Sequence, residues 1–388
     1  MKIEQVEKTI LFALIRSAVR GELLLEEGKA LYSAEMLPSI VAAAKQHDIL
    51  HLLVLGLKKN GLLTENDKSL HNQIFQAVYR YEQLQYELDS LCEALEKAQI
   101  PFLPLKGSVL RKYYPEPWMR TSCDIDILVH VEDLEKATAY LVDTLEFRSE
   151  GKNSHDVSLF SPTGIHLELH YDLVEDDRAN SAAKVLENVW DRAVKRGGSE
   201  YHYEMPDELF YFYHIAHMAK HFEGGGCGIR PFIDLLVLNN QVEFNKEKRQ
   251  NLLEEGGLSK FGSQVELLSE IWFGNAEHTE ITKQIQDYIL KGGVYGTNEN
   301  RIAVQQQKQG GKFKYALSKI FLPYDVIKFH YPVLEKHKWL MPFMQVRRWC
   351  KLIFCGHLKR ATHELKYNST LTKDAAEEAK TLLKNIGL

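Results

Sequence analysis

Residues 105–129, LKGSVLRKYYPEPWMRTSCDIDILV, decide the fold and carry most of the chemistry that the sequence shows. Toward the end of this stretch, in residues 123–130, apolar side chains occupy every second position. This alternation predicts a β-strand with one buried face. Because residues i and i+2 of a strand point to the same side, the carboxylates of Asp124 and Asp126 are expected to project together.

Asp124 and Asp126 at this spacing repel each other, which raises the pKa of one carboxyl and costs stability. A hard divalent cation removes the repulsion, and oxygen ligands of this kind suit Mg²⁺. The alternative is a strand end with two solvated carboxylates, and the pair alone does not separate the two interpretations.

The residues upstream of this strand are typical of a phosphate-binding turn. Gly107 lets the backbone approach a ligand closely, and a turn that opens a helix presents free N–H groups to an anion. Ser108 adds a hydroxyl donor, and Lys106 adds a point charge suited to phosphate. Residues 109–114 then predict a short helix, which the two following prolines stop. A phosphate-binding turn before a metal-binding strand is a stronger signal than either feature alone.

The combination resembles the DNA polymerase β-type nucleotidyltransferase superfamily. Its motif is an apolar residue, Gly, then Gly or Ser, a spacer, and Asp-apolar-Asp/Glu-apolar. The matching residues are Leu105/Lys106, Gly107, Ser108, Asp124, Ile125, Asp126 and Ile127. A broad group of bacterial nucleotidyltransferase family proteins shares the string LKG…YP.P..R…DIDILV. The resemblance implies an α+β fold, in which a small polymerase β-like palm with a mixed sheet is flanked by helical N- and C-terminal regions.

The spacer between Ser108 and Asp124 is longer than in the minimal motif, and it contains Arg120. Arginine matches phosphate oxygens bidentately, so Arg120 is predicted to reach the triphosphate of a bound nucleotide. The alternative is a salt bridge that closes the loop.

The superfamily also uses a third carboxylate on a later strand. Residues 155–161 and 165–171, separated by Pro-Thr-Gly, have hairpin character. In the second segment, His166, Glu168 and His170 share one face. The resemblance assigns Glu168 as the third carboxylate, although an isolated strand Glu can also be merely solvated. His166 and His170 are expected to have supporting or acceptor-site roles.

A histidine-rich helix is predicted further along, in residues 209–222. Its histidines lie at i, i+3 and i+7 on one face, as His214, His217 and His221. A helical HxxxH pair can bind zinc, but a third ligand and a base are missing, which favours a packed face bordering the cleft. His217, together with Arg230 and Asp234 from the next helical segment, is therefore placed near the cleft.

The bulk properties are those of an ordinary globular chain of 388 residues, with 26% charged residues and a formal net charge of −5. This charge gives no general attraction to nucleic acid. The five cysteines form no CxxC pair, which indicates reduced thiols and a cytoplasmic location. No run reaches the roughly 18 apolar residues of a membrane span.

Three parts are predicted: a helical leader domain in residues 1–99, the palm in 100–200 and a helical region in 201–388. Residues 305–311 are a candidate linker. Residues 311–366 contain 12 Lys and Arg but only 3 Asp and Glu, interleaved with aromatic residues. Such a segment can contact nucleic acid or an anionic membrane. The favoured alternative is an ordinary solvent-exposed helical face, on which the aliphatic parts of Lys and Arg side chains cover the aromatic rings.

The predicted function is transfer of an NMP from an NTP to a hydroxyl of a small-molecule acceptor, with release of pyrophosphate. The resemblance implies a two-ion Mg²⁺ site at Asp124 and Asp126. Three alternatives stay open: a macromolecular acceptor, either tRNA or a protein side chain; a non-catalytic nucleotide-binding regulatory module; and a metal-dependent phosphohydrolase that uses the same carboxylates.

Overall fold

The computed structural model describes residues 4–64, 67–174, 181–354, 368 and 373–388. The N-terminal part is helical, as the sequence predicts, because apolar residues recur there at helical spacing. Its helices are α1 (Gln5–Arg20), α2 (Glu26–Ala30), α3 (Leu37–Gln46), α4 (Leu50–Lys59) and α5 (Lys68–Lys97).

A five-stranded sheet follows, with the strand order β1-β2-β5-β4-β3. The strands are β1 (Phe102–Pro104), β2 (Asp124–Val129), β3 (Arg148–Lys152), β4 (Asp156–Phe160) and β5 (His166–His170). Strand β2 pairs with β5 in parallel, and every other pairing is antiparallel. The sheet is therefore mixed, which confirms the predicted α+β palm.

Two helices connect the first strands: α6 (Lys106–Leu110) lies between β1 and β2, and α7 (Leu134–Leu145) follows β2. The predicted hairpin of β4 and β5 is confirmed. Strand β3 is missing from the sequence prediction because all five of its residues are exposed and show no apolar alternation.

One face of the sheet packs on α5 and α7 and forms a hydrophobic core. From β2 it receives Ile125, Ile127 and Val129, none of which has any exposed surface. From the helices it receives Leu84, Leu88, Leu91, Leu95, Leu134, Ala137 and Leu141. The alternation that predicts the strand thus fixes which face of β2 is buried, and it leaves the carboxylates on the other face.

The rest of the described chain is mainly helical. A short segment, α8 (Ser181–Glu187), α9 (Val189–Arg192), β6 (Val194–Lys195) and β7 (Tyr203–Glu204), leads away from the palm. The helices after it are α10 (Asp207–Glu223), α11 (Arg230–Gln241), α12 (Lys246–Glu255), α13 (Ser259–Phe273), α14 (Glu280–Leu290), α15 (Asn298–Lys308), α16 (Lys312–Ile320), α17 (Tyr324–His330), α18 (Val333–Lys336), α19 (Met341–Phe354) and α20 (Lys373–Ile386).

The helices before and after the palm share a second core. Phe12 of α1, for example, stacks on Trp272 of α13 with ring centroids 4.4 Å apart. The boundaries between the three predicted parts of the chain, at residues 99/100 and 200/201, stay a prediction. Residues 355–366 of the basic segment lie outside the described residues. In the part of the chain that is described, the cysteines are unpaired and no helix is long and apolar enough to cross a membrane.

The core under β2 gives a direct test of the fold. Replacing Ile127 with alanine removes buried methyl groups and leaves a cavity, which should cost about 2–5 kcal/mol in the free energy of unfolding. The matched control is Val131→Ala just beyond β2, where the side chain is 62% exposed and the change should stay within about 0.5 kcal/mol. Urea unfolding measures both, and equal effects would contradict this placement of β2.

Candidate active site

The pairing of β2 with β5 gathers the predicted acidic residues. Asp124 lies opposite His166, and Asp126 lies opposite Glu168, in a parallel register. A carboxylate oxygen of Asp124 and one of Glu168 lie within 4.8 Å of each other and of a His166 ring nitrogen. Asp126, Glu168 and His170 form a second such group. The three carboxylates predicted from separate segments therefore share one face of the sheet.

Lys106 reaches this face because the backbone ties the start of α6 to β2. The Leu105 N–H donates to the Asp126 carbonyl oxygen at 2.9 Å. The next residue, Lys106, has a φ of 45°, a left-handed conformation that is uncommon outside glycine. Its Nζ lies 2.7 Å from Asp126 Oδ1 and 3.7 Å from Glu168 Oε2. Strained backbone of this kind persists where the surrounding structure enforces it, often at functional sites.

His170 supplies a second positive group to the same carboxylates. Its Nε2 lies 3.0 Å from Asp126 Oδ1 and 3.3 Å from Glu168 Oε2. Burial opposes the charged form, but the hydrogen bonds to these carboxylates raise the pKa of His170 above its usual value. A supporting role for His170 stays a prediction.

Lys106 and His170 each stabilise the charged form of Asp126, although their own positive charges repel each other. Burial alone would raise the pKa of Asp126, but Lys106 and His170 hold it well below its usual range. Burial likewise opposes the charge of Lys106, and the Asp126 carboxylate raises the pKa of this ammonium group. A buried carboxylate is tolerated when it is paired and hydrogen-bonded in this way.

Asp124 differs from Asp126 in the direction of its pKa shift, although Lys106 and His166 act to lower the pKa of Asp124 as well. Burial, followed by the neighbouring carboxylates of Asp126 and Glu168, raises the pKa of Asp124. Among the described residues no ion pair joins Asp124 to a cation. This excess of negative charge next to hard oxygen donors is what a divalent cation would relieve, so the residues fit a metal.

A cleft of about 310 Å³ opens above the carboxylates, between the sheet and helices α10 and α11. Gly107 forms part of its floor. A Cβ on Gly107 would lie 3.3 Å from both Cβ and Oγ of Ser122, so a larger residue would push into the segment that enters β2. His217, Arg230 and Asp234 line the cleft.

Arg120 forms a salt bridge that closes the loop, the alternative that the sequence leaves open. Its Nε lies 2.6 Å from Oδ1 of Asp234, a carboxylate without exposed surface, and the Tyr114 hydroxyl donates to the same oxygen at 2.7 Å. The Nη1 group of Arg120 donates to the Thr121 carbonyl oxygen. Arg120 therefore joins the spacer to α11 and builds the wall of the cleft.

Ser108 is the one predicted nucleotide-binding residue that does not line the cleft. Lys106, Gly107 and Leu110 face the cleft, whereas Ser108 and Val109 line a second cavity on the other side of α6. The Ser108 backbone N–H is bonded to the Leu105 carbonyl oxygen.

The histidine face of α10 borders the cleft. The rings of His217 and His221 meet edge to face, with centroids 4.4 Å apart. Burial lowers the pKa of both, that of His221 to about 4, so both are neutral at physiological pH. His214 Nε2 lies 3.1 Å from the Pro231 carbonyl oxygen. Among the described residues, none of these three histidines belongs to a cluster of side chains that could hold a metal ion.

Three further polar residues near the carboxylates were not predicted from the sequence. Lys220 and Tyr213 line the cleft from α10, and burial, followed by repulsion from Lys106, lowers the pKa of Lys220 to about 8. Asp156 lies opposite His170 in the sheet and is buried. Lys220 lies one helical turn from His217, a spacing that could have identified it. Asp156 gives no comparable local signal.

Comparison with known proteins gives one match. The family described as "Uncharacterised nucleotidyltransferase" matches residues 34–274, more than half of the chain. The chain belongs to this nucleotidyltransferase family. No curated protein and no solved structure matches it. The matched region contains the five-stranded sheet together with α10 and α11, and it includes the residues that line the cleft except Val294 and Tyr295.

The Arg120–Asp234 pair yields a stability prediction. Asp234→Asn removes the negative charge and leaves the buried guanidinium unpaired, which should lower the free energy of unfolding by about 3–5 kcal/mol. The control is Glu280→Gln, which breaks an exposed pair with Lys283 and should have no measurable effect. Urea unfolding distinguishes them. An Asp234→Asn variant as stable as the control would show that the pair does not hold the wall together.

Proposed function

We propose that this protein is a Mg²⁺-dependent nucleotidyltransferase that moves an NMP from an NTP to a hydroxyl of a small-molecule acceptor and releases pyrophosphate. The observation that carries the proposal is the β2–β5 register, which brings Asp124, Asp126 and Glu168 together beside Lys106. Membership of a nucleotidyltransferase family supports the reaction class.

Asp124 and Asp126 are the proposed Mg²⁺ ligands of a two-ion site, and Glu168 lies beside both. Each aspartate has an oxygen within 4.8 Å of an oxygen of Glu168, and hard cations prefer such oxygen donors. Bound Mg²⁺ would neutralise the triphosphate and the charge that develops during transfer. The raised pKa of Asp124 supports this assignment, since burial and then the carboxylates of Asp126 and Glu168 raise it more than Lys106 and His166 lower it.

Lys106 and Gly107 are proposed to receive the triphosphate. Gly107 allows the nucleotide to approach the backbone, and the Lys106 ammonium already lies between two carboxylates at the edge of the cleft. Lys220, on the opposite wall, adds a second positive group. Catalysis of phosphoryl transfer depends mainly on such positioning and charge neutralisation.

Glu168 is the proposed proton acceptor. The acceptor hydroxyl oxygen forms a bond to the α-phosphorus, the bond from that phosphorus to pyrophosphate breaks, and the hydroxyl proton passes to the Glu168 carboxylate. The hydrogen bond from His170 outweighs burial and lowers the pKa of Glu168, so the carboxylate is ionised at neutral pH and can accept a proton. Arg120 acts indirectly, by holding the wall through Asp234.

A macromolecular acceptor, tRNA or a protein side chain, is the second candidate. The observation that favours it is the basic, aromatic-rich part of the chain after residue 311, where Phe313, Trp339, Phe343 and Phe354 are each more than 60% exposed. Exposed aromatics among lysines and arginines can contact an extended anionic partner. A non-catalytic module is less well supported, because all three carboxylates and Lys106 are in place.

Asp124→Asn tests the metal site without threatening the fold. The change removes one of several repelling carboxylates, so thermal stability should stay the same or rise, while Mg²⁺-dependent NTP binding should weaken by about tenfold or more. Calorimetric titration of each NTP, with Mg²⁺ or with EDTA, measures the binding. The control is Asp143→Asn on the exposed side of α7. Unchanged Mg²⁺-dependent binding in Asp124→Asn would rule out the proposed metal role.

Label transfer tests the reaction and the class of acceptor. Wild-type protein incubated with α-³²P-labelled NTPs, Mg²⁺ and cell extract should move label into the small-molecule fraction. Glu168→Gln cannot accept the proton, so transfer should fall by about 10²–10⁴-fold, while NTP binding persists. Label on RNA or on protein would favour the second candidate, and transfer by Glu168→Gln at the wild-type rate would exclude Glu168 as the base.

A further inference from the structure

Helix α19 carries large apolar side chains on the side that faces solvent. Five of them are each more than half exposed: Trp339, just before the helix, and Phe343, Val346, Ile353 and Phe354 within it. They are separated by intervals of three, four or seven positions or by a single step, so they lie on one side of the helix. These five residues are called here the apolar stripe.

The opposite face of α19 packs on the protein through polar groups. The Gln345 side chain is buried and donates to the Leu322 carbonyl oxygen at 2.6 Å. Arg348 and the Trp349 indole N–H both donate to the Ile320 carbonyl oxygen. A surface helix of a globular protein normally buries its apolar face and exposes its polar one. In α19 this order is reversed, so packing of the protein core does not explain the apolar stripe.

Helix α16, to which Arg348 and Trp349 attach α19, also has an outward apolar face. Phe313, Leu317 and Ile320 are exposed at helical spacing, whereas Tyr315 has no exposed surface. Among the described residues, 11 of the 21 exposed large hydrophobic side chains lie in residues 313–354. Exposed apolar side chains that are concentrated in this way mark a surface that contacts a protein or a membrane.

The same part of the chain is strongly basic. Residues 312–354 contain nine Lys and Arg but only two Asp and Glu, although the whole chain has a formal net charge of −5. Arg347 and Lys351 are exposed on α19, and helical spacing places both along one border of the apolar stripe. Basic residues beside an exposed face that contains Trp and Phe are typical of a helix that lies on an anionic membrane.

Basic side chains in this region do cover some aromatic rings. Lys338 Nζ lies 5.0 Å from the centre of the Tyr324 ring, and the Arg347 guanidinium lies 5.7 Å from that of Tyr331. Phe343 nevertheless stays 63% exposed. The covering of aromatics by basic side chains therefore accounts for these two tyrosines and leaves the apolar stripe to be explained.

We propose that α19, with α16 beside it, binds the surface of an anionic lipid bilayer. The apolar stripe would enter the boundary between headgroups and acyl chains, and Arg347 and Lys351 would contact lipid phosphates. The helix would lie in the plane of the surface, because its 14 residues extend about 21 Å and a hydrocarbon core is about 30 Å thick. This proposal does not depend on the proposed transfer reaction.

Two other partners fit this surface less well. Nucleic acid is attracted to basic residues, and aromatic side chains stack on its bases, but Val346 and Ile353 have no ring to stack. A second copy of the chain would bring two basic segments together, which is unfavourable because like charges repel each other. An anionic bilayer matches both the apolar side chains and the positive charge.

The experiment is cosedimentation of the full chain with two kinds of vesicle, without nucleotide or metal. Vesicles of phosphatidylcholine mixed with phosphatidylglycerol should bind the protein, and vesicles of phosphatidylcholine alone should bind it more weakly. High salt should weaken binding to the mixed vesicles, because it screens exposed charges. Lys351→Gln should weaken binding to the mixed vesicles by about fivefold, the effect of one basic residue at an anionic surface, and should leave binding to phosphatidylcholine unchanged.

Phe343→Ser tests the apolar stripe. Because the side chain is largely exposed, the variant should fold like the wild type, which thermal unfolding checks. Its binding to the mixed vesicles should fall by about tenfold or more, since a phenyl ring no longer leaves water. Ile353→Ser gives an independent measurement should Phe343→Ser misfold. The matched control is Phe75→Ser on α5, where the ring is 68% exposed and binding should stay at the wild-type level.

The outcomes separate lipid from the other partners. Sedimentation with the mixed vesicles that depends on Phe343, Ile353 and Lys351 but not on Phe75 supports the proposal. It is overturned if the wild type does not sediment with the mixed vesicles, or if neither serine variant in the stripe binds them more weakly than Phe75→Ser does. A dimer without lipid that Phe343→Ser dissociates, or binding of tRNA in place of vesicles, would also overturn it.

Discussion

The parallel pairing of β2 with β5 is the constraint on which the rest of the site depends. It sets Asp126 directly opposite Glu168, and a shift of one residue would turn every side chain of one strand to the other face of the sheet. The register is held by the apolar side chains behind it, such as Ile127 and Leu167, which have no exposed surface. Core packing and the placement of the carboxylates are therefore one and the same structural feature.

Gathering acidic groups on a buried face is unfavourable, and the fold offsets the cost with positive groups. Lys106 and His170 each contact Asp126 and Glu168. The positive φ of Lys106 is part of this arrangement, because the backbone bond from Leu105 to β2 holds the residue at that point. Asp124, which has no ion pair among the described residues, keeps a raised pKa, and with Asp126 it forms the proposed metal site.

The long spacer of the motif has a structural explanation. Its residues Tyr114 and Arg120 both bind the Asp234 carboxylate, more than a hundred positions later in the chain. This contact attaches α11 to the palm and, with α10, makes a walled cleft out of an open sheet face. The same spacer carries Arg111, whose buried guanidinium donates to the Ser122 hydroxyl in the segment that enters β2.

The sequence by itself determined strand β2, the shared face of its aspartates, the hairpin with Glu168 and the histidine face of α10, because all of these follow from local periodicity. It could not predict β3, whose exposed polar residues have no periodic pattern. It could not predict that Arg120 pairs with Asp234, or that Ser108 turns away from the cleft. Tertiary structure decided those points, since the partner of a buried polar group is chosen by contacts between residues distant in sequence, which local patterns do not encode.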